Sequence, residues 1–361
     1  MEYFKKYVSN TLAGSGNQNF FFNENKGETK SCTLYKLTRG GEFSYSFLFS
    51  NTVDSTFSDG SVSHKNLVID EWTIDRMRVG ISARCDGGSF EYPTDMKQVF
   101  FGGKEKKTVN PAELFCTDPV TLNAKEGEYV CVEIVFSGDM IPKHEESIIP
   151  SFVYQNGEWT PSKDHPFISM VGIEAPAKKR IAFLGDSITQ GCGTPINEYG
   201  HWNAIFASLL GNEYAYWNLG LGYGRADDAA SDGIWLYKAK QNDIVFVCYG
   251  VNDILQGYSA DAVKKNLQTL VDKLCRAGAR VIMQTVPPFD YSEQNRKKWH
   301  EINDFIKYEL KGAAFLFDCV GCLSKSESEP HMSKYGAHPN SEGCRLWAKA
   351  LFEAIDENVL K

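Results

Sequence analysis

The sequence predicts two units of different architecture: an antiparallel β-sandwich, jelly-roll-like, followed by a doubly wound α/β unit with a five-stranded parallel sheet. Three observations predict it. Up to about Glu174, apolar residues alternate with period two in short runs separated by turn residues. Beyond Ala175-Pro176-Ala177-Lys178-Lys179, the runs become short, continuous and apolar, as in strands covered on both faces. Between these runs lie segments of helical periodicity, so strands and helices alternate. At 361 residues the chain exceeds one typical domain, and the change of style places the boundary so that 1–175 form the first and 176–361 the second.

In the first unit, Glu42–Ser50 is aromatic-rich and puts Phe43, Tyr45, Phe47 and Phe49 on one face. Thr73–Arg84 sets Met77, Val79, Ile81 and Ala83 against Arg76, Arg78, Gly80 and Ser82, with Ile74 out of phase. Gln98–Phe101 ends at Gly102-Gly103, and Tyr129–Ser137 alternates again, with Val130, Val132, Ile134 and Phe136 on one face. In the second unit, strands are expected over Arg180–Leu184, Tyr214–Leu219, Asp243–Tyr249, Arg280–Val286 and Ala314–Asp318. Helices are expected over Tyr199–Leu210, Ala226–Ala239, Ala260–Ala277, Ser292–Lys311 and Glu342–Val359.

Composition narrows the partners. A net charge of −8 gives no basic footprint for nucleic acid or for an anionic membrane. No apolar run reaches the roughly 18 residues of a membrane span. The start, Met1-Glu2-Tyr3-Phe4-Lys5-Lys6-Tyr7, lacks the apolar core of a signal peptide, and the ten cysteines are scattered, some within apolar runs. Both suit reduced thiols and a cytoplasmic location. Cys319 and Cys322 form one C-x-x-C with no second pair at zinc spacing, so no metal site is expected and no cofactor is implied.

Four stretches of the second unit carry residues able to do chemistry. Ile181–Leu184 runs into Gly185-Asp186-Ser187-Ile188-Thr189, placing Ser187 at the carboxyl end of a strand, where open α/β sheets bind ligands. A serine there also serves simply to cap the next helix. Gly220-Leu221-Gly222-Tyr223-Gly224-Arg225 and Gly250-Val251-Asn252-Asp253 follow the second and third strands, and His338-Pro339-Asn340 precedes the last helix. The glycine-rich stretch is no dinucleotide fingerprint: Arg225 stands where the third glycine belongs, and no acid ends the next strand. Individually these are ordinary turn residues. Together they supply a nucleophile, backbone N–H groups, an amide and a base, the set that acyl transfer requires.

With those residues in hand, the sequence resembles the SGNH (GDSL) hydrolase family, whose fold is flavodoxin-like. Gly185-Asp186-Ser187-Ile188-Thr189 matches its first block, Gly250-Val251-Asn252-Asp253 its third and His338-Pro339-Asn340 its last. The resemblance implies Ser187 as nucleophile and His338 as base, with the oxyanion held by the N–H of Ser187, by Asn252 and by a glycine N–H of the second block. An ungapped match puts Tyr223 at that glycine; a shift of one residue selects Gly222, the expectation adopted, or Gly224. Asp186 is structural in this family. The family's acid, three residues before the histidine, is here Tyr335. A phenol cannot replace a carboxylate at neutral pH. Certain two-domain carbohydrate esterases of this clan use a Ser–His dyad with a main-chain carbonyl behind the imidazole, and they too begin with a β-sandwich. Glu327 and Glu329 are the other candidates for that place. Phe49-Ser50-Asn51, Val99-Phe100-Phe101-Gly102-Gly103 and Thr117-Asp118-Pro119-Val120 resemble the β-rich front domain of bacterial two-domain GDSL esterases.

The expected function is therefore a serine esterase that hydrolyses O-acyl, foremost O-acetyl, esters of a carbohydrate, with 176–361 as its catalytic domain and 1–175 as an accessory domain. The expected partner is a small-molecule or oligosaccharide ester, without nucleic acid or membrane. A lysophospholipase or thioesterase is the rival within the enzyme class, because fold does not set the acyl group. A glycan-binding protein on an inactive esterase scaffold is the rival outside it, on the strength of Tyr335.

Overall fold

Antiparallel pairing organises the first half of the chain and parallel pairing the second. The structure, a computed structural model, describes the whole chain except residues 24–27, 57–63, 87, 145–147 and 361. Its backbone divides into Met1–Ala177 and Lys178–Lys361.

Within Met1–Ala177, a five-stranded antiparallel sheet is built round Gly41–Ser50, which pairs with Leu114–Cys116, Val120–Ala124 and Met170–Glu174. A seven-stranded antiparallel sheet is built round Thr29–Lys36, Tyr129–Ser137 and Trp72–Ser82. The phase slip at Ile74 has a direct cause. Val135 faces Arg76 but Phe136 faces Ile74, so Asp75 is the extra residue of a β-bulge. On Gly41–Ser50 the alternation is less complete than expected: Ser46, Leu48 and Ser50 are buried as fully as Tyr45, Phe47 and Phe49. The strand is central, and the Tyr3 hydroxyl lies across its other face, donating to the Ser46 carbonyl at 2.8 Å. The motif residues of this half stitch loops together. Asn51 Nδ2 donates to the carbonyls of Ile69, Asp70 and Asn110, and Asp118 accepts from the N–H groups of Gly102 and Gly103 at 2.9 and 2.7 Å.

Lys178–Lys361 contains five parallel strands: β1 (Arg180–Gly185), β2 (Ala215–Gly220), β3 (Ile244–Cys248), β4 (Arg280–Gln284) and β5 (Phe315–Phe317). Their order in the sheet is β2-β1-β3-β4-β5. The chain leaves β1 toward one side to form β2 and returns to the other to form β3. The carboxyl end of β1 is therefore the switch point, where this topology opens a ligand crevice. Register makes the three strand ends level, since Gly185 faces both Gly220 and Cys248.

The helices are α1 (Ser187–Gln190), α2 (Trp202–Leu210), α3 (Ala226–Ala230), α4 (Ile234–Ala239), α5 (Val251–Leu255), α6 (Ala260–Arg276), α7 (Glu293–Tyr308) and α8 (Val320–Leu323). A hairpin follows, β6 (Ser324–Ser326) and β7 (Glu329–Ser333), and then α9 (Ser341–Ala354). Side chains of Ser259, Ser292 and Asn340 cap α6, α7 and α9 by accepting backbone N–H groups. The helix expected over 226–239 is two: Ser231-Asp232-Gly233 favours a turn, and Gly233 is fully extended at φ −168°. The last helix stops at Ala354, where Ile355 turns extended, and α2 begins only at Trp202 because Tyr199 lies at φ +53°. Single-turn helices and the hairpin carry too little periodicity to be read from sequence. Among the described residues, no helix is long and apolar enough to cross a membrane.

Trp347 of α9 stacks on Trp202 of α2, rings 4.9 Å apart and 11° from parallel, and its Nε1–H donates to Gln284 Oε1 of β4 at 2.8 Å. Both indoles are fully buried. Removing one ring leaves a cavity and an unpaired amide oxygen. Trp347→Ala is therefore expected to destabilise this unit by about 3–5 kcal/mol in urea unfolding. Tyr308→Ser, at a side chain 80% exposed, should stay within about 0.5 kcal/mol of wild type.

Candidate active site

Ser187 is positioned by the turn that β1 makes into α1. Asp186 is the N-cap, with Oδ1 accepting from the Ile188 N–H at 3.0 Å. The capping work thus falls to the aspartate, and Ser187 becomes the first residue of the helix with its hydroxyl released. That oxygen lies 2.8 Å from Nε2 of His338, and Ser187 is 7% exposed.

His338 reaches this position through contacts on two sides. The α1 turn continues through Gly191 into Gly193, at φ +92°. A Cβ on Gly193 would stand 2.7 Å from the His338 carbonyl oxygen, so the histidine backbone rests directly on the glycine. On the imidazole itself, Phe289 from the loop after β4 packs edge to face, with centroids 5.5 Å apart and planes at 80°. Burial alone holds the imidazolium pKa below its ordinary value. Among the described residues, no carboxylate is hydrogen-bonded to the ring. Glu329 pairs with Lys325 at 3.2 Å, and Glu327 is exposed on the hairpin. Tyr335 fills the expected acid position by packing: a Cβ on Gly343, in the first turn of α9, would meet the Tyr335 side chain at 2.6 Å. Nor does a main-chain carbonyl stand behind the ring among the described residues; that of Tyr335 accepts from the Asn340 N–H.

The loops after β2 and β3 flank β1 and meet beyond it. Asn252, second residue of α5, donates Nδ2–H to the Gly224 carbonyl at 3.0 Å, and its neighbour Asp253 accepts from the Ala226 N–H at 3.0 Å. Arg225 ties the same loop inward with a two-pronged bond to Asp228, 2.7 Å on each arm, and a bond to Gln256. The expectation for Gly222 needs correction. Its N–H donates to the buried Oε1 of Gln190 at the end of α1, so it points into the protein. The Gly224 N–H is likewise taken, by the Leu221 carbonyl at 3.0 Å. Tyr223 stands between them in the left-handed region at φ +59°, which reverses the direction of successive peptide groups. Gln190, Gly193 and Phe289 escaped the sequence reading because none carries a chemical signature. The Gly191-Cys192-Gly193 spacing was the only signal present.

With this geometry in place, residues 183–346 match the model of the GDSL-like Lipase/Acylhydrolase family. A GDSL-like acylhydrolase domain thus lies at residues 183–346, within Lys178–Lys361. Similar solved structures include a psychrotrophic esterase from Pseudoalteromonas sp., with 19% identity, 50% of this chain and 99% of that one covered, and a TM-score of 0.41. A member of the lipolytic G-D-S-L family from Veillonella parvula DSM 2008 has 21% identity over 49% of this chain and 97% of its own, at TM-score 0.39. A carbohydrate esterase family 3 protein from Talaromyces cellulolyticus has 18% identity over 50% and 98%, at TM-score 0.37. No curated protein matches the sequence.

Asp253 gives the site a pH dependence. Burial first, with the nearby Asp228 carboxylate adding to it, pushes its carboxyl pKa from 3.8 to about 7, against the opposing pull of the Ala226 N–H. A folded-state value above the unfolded one contributes stability below the unfolded value, which is lost as pH rises through about 7. Asp253→Asn keeps an acceptor for Ala226 without the charge. The thermal midpoint of wild type should thus fall relative to that of Asp253→Asn between about pH 4 and about pH 8. Parallel midpoints across that range would show that Asp253 does not titrate there.

Proposed function

We propose that the protein is a serine esterase that releases small acyl groups, acetyl foremost, from a carbohydrate through an acyl-enzyme. The observation that carries the catalytic part is the 2.8 Å bond between Ser187 Oγ and His338 Nε2. Because Nε2 accepts from the hydroxyl, the neutral ring carries its proton on Nδ1. Ser187 Oγ attacks the ester carbonyl carbon while Nε2 takes the hydroxyl proton. The carbonyl oxygen becomes an oxyanion, which the N–H of Ser187 and the second amide N–H of Asn252 stabilise. The third donor in this reading is the N–H of Tyr223, the position that the ungapped family match selects. The intermediate collapses, and the imidazolium gives its proton to the leaving alkoxide. Water, deprotonated by His338, then releases the acid and restores Ser187.

The carbohydrate is supported by the resemblance to two-domain carbohydrate esterases with a β-rich front half. Acetate release from acetylated xylan or mannan oligosaccharides, with p-nitrophenyl acetate cleaved faster than the octanoate, is the expected result. Preference for octanoate and no activity on either glycan would favour a lysophospholipase or thioesterase instead.

Ser187→Ala should lower turnover by several orders of magnitude with an unchanged circular dichroism spectrum. Asn252→Ala should lower kcat by about 10²–10³-fold with KM nearly constant, because the oxyanion exists only in the transition state. A rise in KM alone would make Asn252 a substrate contact.

A further inference from the structure

A base with no carboxylate behind it must be oriented by something else. We propose that Phe289 is the positioning residue for His338, holding the imidazole toward Ser187 by edge-to-face contact in place of the family's triad acid. The inference rests on the reading of Ser187 and His338 as nucleophile and base.

Phe289 is built as a fixed wall. Its N–H donates to the His331 carbonyl of β7 at 3.2 Å, which ties the loop after β4 to the strand leading to His338. The next residue, Asp290, accepts from the Ser333 N–H at 2.8 Å. Tyr291 is buried, 6.2 Å from the Phe289 ring and 6.1 Å from Trp299. The Phe289 side chain is half-buried and meets the imidazole at 5.5 Å and 80°, within the favoured range for a perpendicular aromatic pair. Gly193 supports the histidine backbone from the other side.

The charged groups of the elements round the ring are turned elsewhere. Asp186 caps α1, Asp290 accepts from Ser333, Glu329 pairs with Lys325, and Lys334 lies over the Tyr335 ring at 5.3 Å. A phenyl ring packed against the imidazole supplies orientation and apolar cover but no negative charge. The neutral imidazole is therefore favoured over the imidazolium, the direction in which burial moves its titration. Such a base stays competent at lower pH than one beside a carboxylate, and stabilises its own protonated form less during turnover.

The test uses the full chain with p-nitrophenyl acetate. It combines pH–rate profiles with an NMR titration of His338, its signal assigned from its loss in His338→Gln. In Phe289→Ala, water reaches the ring. The His338 midpoint and the acid limb of kcat/KM should both rise by about half a unit or more, and kcat should fall about tenfold with KM little changed. Phe289→Tyr keeps the aromatic ring and should restore both. Phe289→Leu keeps apolar cover without the aromatic ring, so it should restore the midpoint but not kcat. A His338 midpoint unchanged in a folded Phe289→Ala overturns the inference, whatever happens to kcat. Failure of the underlying reading is seen separately, as a Ser187→Ala variant that hydrolyses the ester at the wild-type rate.

Discussion

The bond from Ser187 to His338 joins residues 151 positions apart, and most of Lys178–Lys361 is arranged so that it can form. Its two ends are held by different means. The serine is fixed locally, by a strand end and an aspartate cap that costs the hydroxyl nothing. The histidine sits in a turn closed by the Asn340 N–H on the Tyr335 carbonyl. It lies between a hairpin and a helix, and its place depends on Gly193 beneath its backbone and Phe289 against its ring. A hydrogen bond tolerates only a few tenths of an ångström of misplacement before it weakens. The approach of these two neighbours therefore matters as much as the identities of the bonded pair.

The strand order explains why the remaining parts assemble where they do. In the order β2-β1-β3, the loops after β2 and β3 flank the strand that ends at Ser187. They are fastened to each other by Asn252 and Asp253, adjacent residues that engage Gly224 and Ala226. The Asn252 amide is thereby held in one orientation, which suits the oxyanion-donor role proposed for it. The buried Arg225–Asp228 pair holds the same loop from below. Burying those charges is tolerable because each arm is satisfied and Gln256 takes a further guanidinium N–H.

With His338 proposed as the base, a ring to which no carboxylate is hydrogen-bonded among the described residues changes the balance of the site. A triad acid orients the ring and also stabilises its charge. In the proposed arrangement the orientation comes from packing, so the two functions are separated. The position where the family keeps its acid packs half-buried against α9, with the Tyr335 side chain on Gly343. An aspartate placed there would have to leave that contact to reach the imidazole.

The sequence by itself determined the two architectures and the order of strands and helices in the second, and it singled out Ser187, Asn252 and His338 as candidates. These are local properties: periodicity follows from which faces are covered, and motif residues sit at strand ends that the pattern marks. Even the bulge at Asp75 was visible, as a break in alternation at Ile74. The tertiary structure decided what depends on partners distant in the chain. It turned the Gly222 N–H toward Gln190, made one expected helix two, kept Glu327 and Glu329 away from the imidazole, and brought Phe289 to it. A backbone N–H has the same sequence signature whether it points into a cleft or into the core, and a phenylalanine reads alike in either place. Only the packing of one loop on another distinguishes them.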